Sequence, residues 1–438
     1  MPDLAPRGDA PPAFLVLPSE EDRALGQIQQ RVRAIALKQL MTFPAGRLTA
    51  PTRRALTDAR KVLASILASH KALLLDAVSH PDVQTPLLVL DVPSELTGQD
   101  PERMIQQALP PLLAILSHVA PKGVVPETLL WDLPLDVLPD AVGHRLLRFD
   151  PPARGVLVDP LGLELNLDDE TKLRLPRAPA LPPETASVTA ERPFHRLTSD
   201  LPRLEFALYD SNPLSMLEAH PEKFGNAISL GDKPLEHWLG AFREALEIIR
   251  VAIPEWYGEL RGFMRRFIPV GYLPERHLSA SYREAPGIAY LTLCDEPITI
   301  AEAIVHETQH SKINALSWLD PIVHNGQTTW TKSPVRPDLR PLWGVLLAVH
   351  AFVPVAAMYE RLAAMDHPVS RTDRFPRRRA EILAGNHNGM VAVLESANAS
   401  PLGRKLIDQM NALHEHTRAL APPPPEGLDL DGDVLPDS

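Results

Sequence analysis

The chain has 438 residues, 45% hydrophobic and 23% charged, an ordinary globular composition with room for two or three domains, or one large domain with an arm. The net charge is −11 and no Lys/Arg block stands out, so nucleic acid and anionic membrane are poor partners. The single cysteine, Cys294, excludes an intramolecular disulfide and a cysteine-rich metal cluster, and suits a reducing cytoplasm.

Residues 1–18 are expected to be disordered, with no basic stretch leading into an apolar run and hence no signal peptide. No transmembrane span is expected either, on the reading that no run of about 18 residues is both uncharged and apolar. Residues 20–41 place Leu25, Ile28, Val32 and Ile35 on one helical face. A second helix is expected over 53–79. A third covers 101–119, with Asp100 as N-cap and Pro101 at its first position. The alternating apolar runs of 144–167, broken by Pro and Gly, predict a few strands. The Pro-rich segment 173–203 reads as a stiff connector and the main boundary, in a chain with 47 prolines.

Beyond it, 234–253 is an amphipathic helix that stops at Pro254, and 268–294 is the strand region, with a turn at "APG". Helices follow over about 300–317, 341–363, 372–398 and 400–419, the last capped by Ser400. The acidic, Pro-rich tail is expected to be disordered. The fold class is therefore mainly α, within α+β. A helical region with short strands (19–200) serves peptide binding or support, a helical metal-binding domain covers 204–419, and a tail covers 420–438.

Within "AEAIVHETQH" (301–310), His306 and His310 stand four apart, on one face of a helix, close enough to share an ion at ~2.1 Å each. Glu307 lies about 100° round and can lean toward the open side of that ion. Thr299 and Glu302 form a Ser/Thr-x-x-Glu capping box that supports the helix. The plain alternative is a solvated or core histidine pair.

A third ligand is harder to place. The zinc peptidase pattern with a third histidine needs Gly and His where this chain has Ile313 and Leu316. The pattern with a downstream glutamate meets none between Ser311 and Tyr359, Glu360 being the first. Asp320, His324, Asp338 and His350 remain. His350 is favoured because it sits in a dense apolar helix, where it is either a ligand or a core polar group in need of a partner. Pro354, four residues on, should kink the helix there. Arg336 and Arg340, just ahead, could grip a carboxylate as a fork, or simply be surface arginines.

Together these residues resemble the bacterial HExxH-motif peptide-modification proteins found near ribosomally made natural-product precursors. The resemblance covers roughly 204–415. It rests on "AEAIVHETQH", "SNP" (211–213), "SAS" (279–281), "SPVRPDLRPLWGVLLAVHAFVPV" (333–355) and "RRRAEILAGNHNGM" (377–390). It implies an Fe(II), 2-oxoglutarate-dependent hydroxylase acting on the β-carbon of a residue in a precursor peptide. His306, His310 and His350 would bind the iron, although Leu347, one turn earlier, is a second register for the family's ligand position. An arginine of 333–342, Arg336 or Arg340, would hold the oxoglutarate. Glu307 would orient a ligand or water. Two competing readings stay open. One is a zinc peptidase in which Glu307 activates a metal-bound water. The other is a non-catalytic peptide-binding protein with a vestigial site, its N-terminal region holding a leader peptide.

Overall fold

The computed structural model describes residues 23–119, 129–131, 134–159, 162–167, 172–176, 188–217, 219–220, 223–275, 277–332 and 339–423. The fold is mainly helical with some sheet, as the sequence predicts, at 57% helix and about 17% strand. The expected N-terminal tail and residues 424–438 of the expected C-terminal one lie outside the described residues, as do Arg336 and Asp338; Leu420, taken as the start of that tail, ends the last helix.

The first helix, α1 (Arg23–Thr42), buries Ile28 and Val32 and half-buries Ile35 on one face. The single helix expected over 53–79 is two, α2 (Ala50–Ser69) and α3 (Lys71–Val78). They part at His70, whose backbone (φ −140°, ψ 48°) leaves the helical region. Two helices without an amphipathic stripe follow, α4 (Pro81–Val89) and α5 (Ser94–Thr97). All of α4 is buried, so its sequence carries no period to read. In α6 (Pro101–Val119), the Glu102 N–H donates to Asp100 Oδ1 at 3.0 Å, the expected cap.

The next stretch is more strand-rich than expected. It holds β1 (Leu129–Trp131), β2 (Leu135–Asp140), β3 (Arg145–Ala153), β4 (Gly155–Asp159), β5 (Gly162–Asn166), β6 (Lys172–Pro176) and β7 (Val188–Glu191). They form two antiparallel sheets, in the orders β1-β4-β5-β6 and β2-β3-β7. Part of the expected connector is thus sheet: β6, β7 and β8 (Phe194–Arg196) fall within it.

The sheet that positions the site has five strands, ordered β13-β14-β12-β9-β8. Its members besides β8 are β9 (Glu205–Ala207), β12 (Arg266–Tyr272), β13 (Ser279–Ser281) and β14 (Ile288–Leu293), with the small hairpin β10 (Ala219–His220) and β11 (Lys223–Phe224) between β9 and α7 (Leu235–Ala252). Strand β12 runs parallel to both neighbours, and β8 and β13 close the two edges antiparallel. The turn into β14 needs Gly287: its φ is +83°, and a Cβ there would meet the Phe263 carbonyl at 3.1 Å. Helix α8 (Pro254–Phe263) starts at the proline that ends α7.

Helix α9 (Pro297–Ser317) lies on one face of this sheet against α7 and α8. The hairpin β15 (Trp330–Lys332) and β16 (Leu339–Pro341) follows, then α10 (Leu342–Ala364), α11 (Phe375–Ser396) and α12 (Pro401–Leu420), which stack beyond α9. Ser400 caps α12, its Oγ accepting from the Gly403 N–H at 2.9 Å. Contrary to expectation, α10 is long and apolar enough to cross a membrane by length and composition; 83% of its most apolar window is buried inside the protein, and it is a core helix.

The buried core does not break at the expected boundary near residue 200: one cluster runs from Ile28 of α1 to Leu413 of α12. On the sheet face away from α9, Arg266 of β12 is fully buried and paired with Asp82 of α4 at 2.8 and 3.2 Å. Burial alone would raise the Asp82 carboxyl, but the Arg266 guanidinium outweighs it and holds the group down at about 2.

Candidate metal centre

Helix α9 is buried on nearly every side. Away from the histidines, Gln309 and Lys312 both donate to Glu259 of α8, at 2.8 and 2.6 Å, and pin the helix. Its start is not the expected capping box. The helix begins at Pro297, and Glu302, one turn inside, is 1% exposed and accepts from Arg378 of α11 at 2.8 and 3.0 Å and from the Tyr359 hydroxyl of α10. Thr299 and Glu302 therefore form no cap; the glutamate serves a buried ion pair.

One turn above Glu302 stands His306, and one turn above that His310. Their rings are 4.2 Å apart between centroids and nearly perpendicular. Ligand atoms of His306, Glu307 and His310 all lie within 4.8 Å of one another. Ligands at ~2.1 Å on a tetrahedral ion stand ~3.4 Å apart, so small side-chain rotations complete the site. Three atoms of this group are buried without a hydrogen-bond partner among the described residues: His306 Nδ1, His310 Nδ1 and Glu307 Oε2. Buried polar atoms of this kind are costly unless something satisfies them, and a cation would satisfy all three. Burial, with His310, His277 and Arg378 nearby, holds the His306 imidazole well below its ordinary value, in the neutral form a metal requires. Burial also lowers His310, with Glu307 pulling the other way. His310 is only half-buried, which gives the group a way out to solvent.

The other oxygen of Glu307 accepts from Ser279 Oγ at 2.6 Å. Ser279 belongs to β13, so the "SAS" segment is the sheet edge beside the site. The "SNP" segment lies elsewhere: Ser211, Asn212 and Pro213 line a polar cavity with Asp82 and Arg103. The hydroxyl of Tyr290, on the sheet face away from α9, donates to the adjacent Asp210 at 2.9 Å.

The expected third ligand is not brought into this group. His350 is 1% exposed within α10, but its ring nitrogens do not join the set lying within 4.8 Å of one another. From the same helix, Phe352 meets the His306 ring, at 4.8 Å between centroids. Among the described residues, no other ligand candidate joins the group either. Asp320 accepts from Ser400 Oγ and the Ile322 N–H, bracing the loop before α12. His324 is exposed, next to the bridge between Val323 and Ala399. Arg340 is half-buried on β16, opposite Thr331. Leu347, the second register considered, packs against the core.

His277, which the sequence reading passed over, belongs to the site's surroundings. It is 3% exposed, its Nε2 has no hydrogen-bond partner among the described residues, and burial pushes it down to about 4. It shares the field of Arg378 with His306, and Glu302 acts on it as well. Its position two residues before "SAS" was the available signal.

No protein-family model matches this chain, and no curated protein is similar to it in sequence.

Proposed function

We propose that the chain is a metal-dependent oxygenase: an Fe(II), 2-oxoglutarate-dependent hydroxylase of the β-carbon of a residue in a ribosomally made precursor peptide. The observation that carries the metal is the convergence of His306, Glu307 and His310 with three buried polar atoms left open. The choice of iron and oxoglutarate rests on the sequence resemblance. His306 and His310 would hold the ion, and when bound it supplies the redox chemistry of O₂ and oxoglutarate. Glu307, fixed by Ser279, orients a ligand or water at the ion's open side. Phe352 walls the site against bulk water. The oxoglutarate carboxylate would be held from the 333–342 segment by Arg336 or Arg340, because Arg378, near the site, is already bound by Glu302. An extended peptide fits the edge strand β13, whose outer side pairs with no strand among the described residues and which carries Ser279 beside Glu307. The buried thiol of Cys294 suits a reducing cytoplasm.

One observation favours a second reading. The open Oε2 of Glu307, among the putting-together of two imidazoles, is also what a zinc peptidase needs to activate water. The test is anaerobic reconstitution with Fe(II), followed by O₂ and 2-oxoglutarate. Succinate formation that is lost in His306→Ala and in His310→Ala supports the hydroxylase. Peptide-bond cleavage with Zn²⁺ alone, without succinate under iron, overturns it in favour of the peptidase.

A further inference from the structure

A second group of ligating side chains lies on the other side of the helical layer, between α11 and α12. We propose that His387, His414 and Glu415 form a separate site for an imidazole-preferring divalent transition ion, which clamps α11 to α12. Ligand atoms of the three residues lie within 4.8 Å of one another. The two rings are stacked, 5.9 Å apart at 28°, one from each helix. Glu415 Oε1 is 4.0 Å from His414 Nε2.

The decisive residue is His414. It is 1% exposed, and neither ring nitrogen has a hydrogen-bond partner among the described residues. A leucine there would pack without that penalty, since a buried imidazole with both polar atoms unmet is expensive. An ion bound at Nε2 satisfies that nitrogen and removes its share of the cost. Closing the set to the ~3.4 Å spacing of a tetrahedral ion requires only His387, half-buried, and Glu415, exposed, to turn inward. Two imidazoles and one carboxylate select Zn²⁺, Co²⁺ or Ni²⁺ over the oxygen-seeking Mg²⁺ and Ca²⁺.

Arg418 marks the place of the cation. Its Nη1 lies 3.3 Å from His387 Nδ1 and 3.8 Å from Glu415 Oε1, and its side chain is half-exposed. A guanidinium in that position competes with a metal for the same two partners, and it is free to swing out to water.

The test uses the full-length chain, without a histidine tag, carrying His306→Ala and His310→Ala so that the α9 centre is silent. Co²⁺ is titrated and followed by its visible ligand-field absorption. The expected result is one saturable equivalent. His387→Ala or Glu415→Ala should weaken it at least tenfold; both side chains reach solvent, so the fold should survive, as circular dichroism would check. Arg418→Ala should tighten it about tenfold by removing the competing cation. Absence of saturable Co²⁺ binding in the doubly substituted chain overturns the proposal. So does binding that survives both His387→Ala and Glu415→Ala. Neither outcome depends on what the α9 centre catalyses.

Discussion

Replacing Arg378 by methionine should act on stability and on metal affinity with opposite signs. Arg378 grips Glu302 with two donors, at 2.8 and 3.0 Å, and Glu302 is 1% exposed. Removing one partner of a buried pair costs about 3–5 kcal/mol, because the remaining charge is left without compensation. The Tyr359 hydroxyl still donates to Glu302, so the low end, about 3 kcal/mol, is expected here. The effect on the ion comes through Phe352. Its ring is 5.9 Å from the Arg378 guanidinium carbon and 4.8 Å from the His306 ring, so the guanidinium stands at most about 11 Å from that ring. At that separation and an effective dielectric constant of about 20, one unit charge acts on a divalent ion with about 3 kcal/mol. Deleting the positive charge should therefore tighten binding at the α9 centre tenfold or more. Urea denaturation measures the first effect. Competition for Co²⁺ with a chromophoric chelator at pH 8, in a His387→Ala background, measures the second. Arg378→Lys keeps the charge, so its affinity should stay near the parent's. A folded Arg378→Met chain that binds the ion no more tightly than the parent would refute the placing of this ion pair in the field of the site.

Asp82→Asn should lower stability by about 3 kcal/mol by leaving Arg266 buried and short of charge, and the chain should still unfold in one transition by two spectroscopic probes; loss of the α4 region alone, ahead of the rest, would contradict the shared core. His277 gives a pH signature. Its folded value, about 4, lies below the unfolded value near 6.5, so the unfolded chain binds more protons between them. The stability it contributes is complete above about pH 6.5 and is lost as pH falls toward 4, by up to about 3 kcal/mol. His277→Phe should flatten that limb of the stability curve, and an unchanged acid limb would show that His277 is not held neutral.

Much of the helical half was legible in the sequence because its signals are local. Asp100 and Ser400 cap the helices they precede, and the proline after α7 ends it, each through contacts within a few residues. The pairing of His306 and His310 is local too: a spacing of four on any helix puts two imidazoles on one face. Where a helix is buried all round, as in α4 and α9, the pattern that marks a face is lost. Glu302 shows the same limit at a single residue. The spacing from Thr299 reads as a capping box, but the helix starts earlier, and Arg378, 76 residues away, claims the carboxylate. Which residue of α10 meets His306, here Phe352, depends on how the helix is rotated about its axis, which its largely apolar sequence leaves open and packing against α9 and α11 decides. The same holds for His277, which comes near the site only because β13 forms the edge of the sheet over α9. Ligand pairs one turn apart are written in the chain; the third side chain, the carboxylate's partner and the second helix's rotation exist only once distant elements pack, because each is set by contacts between residues far apart in sequence.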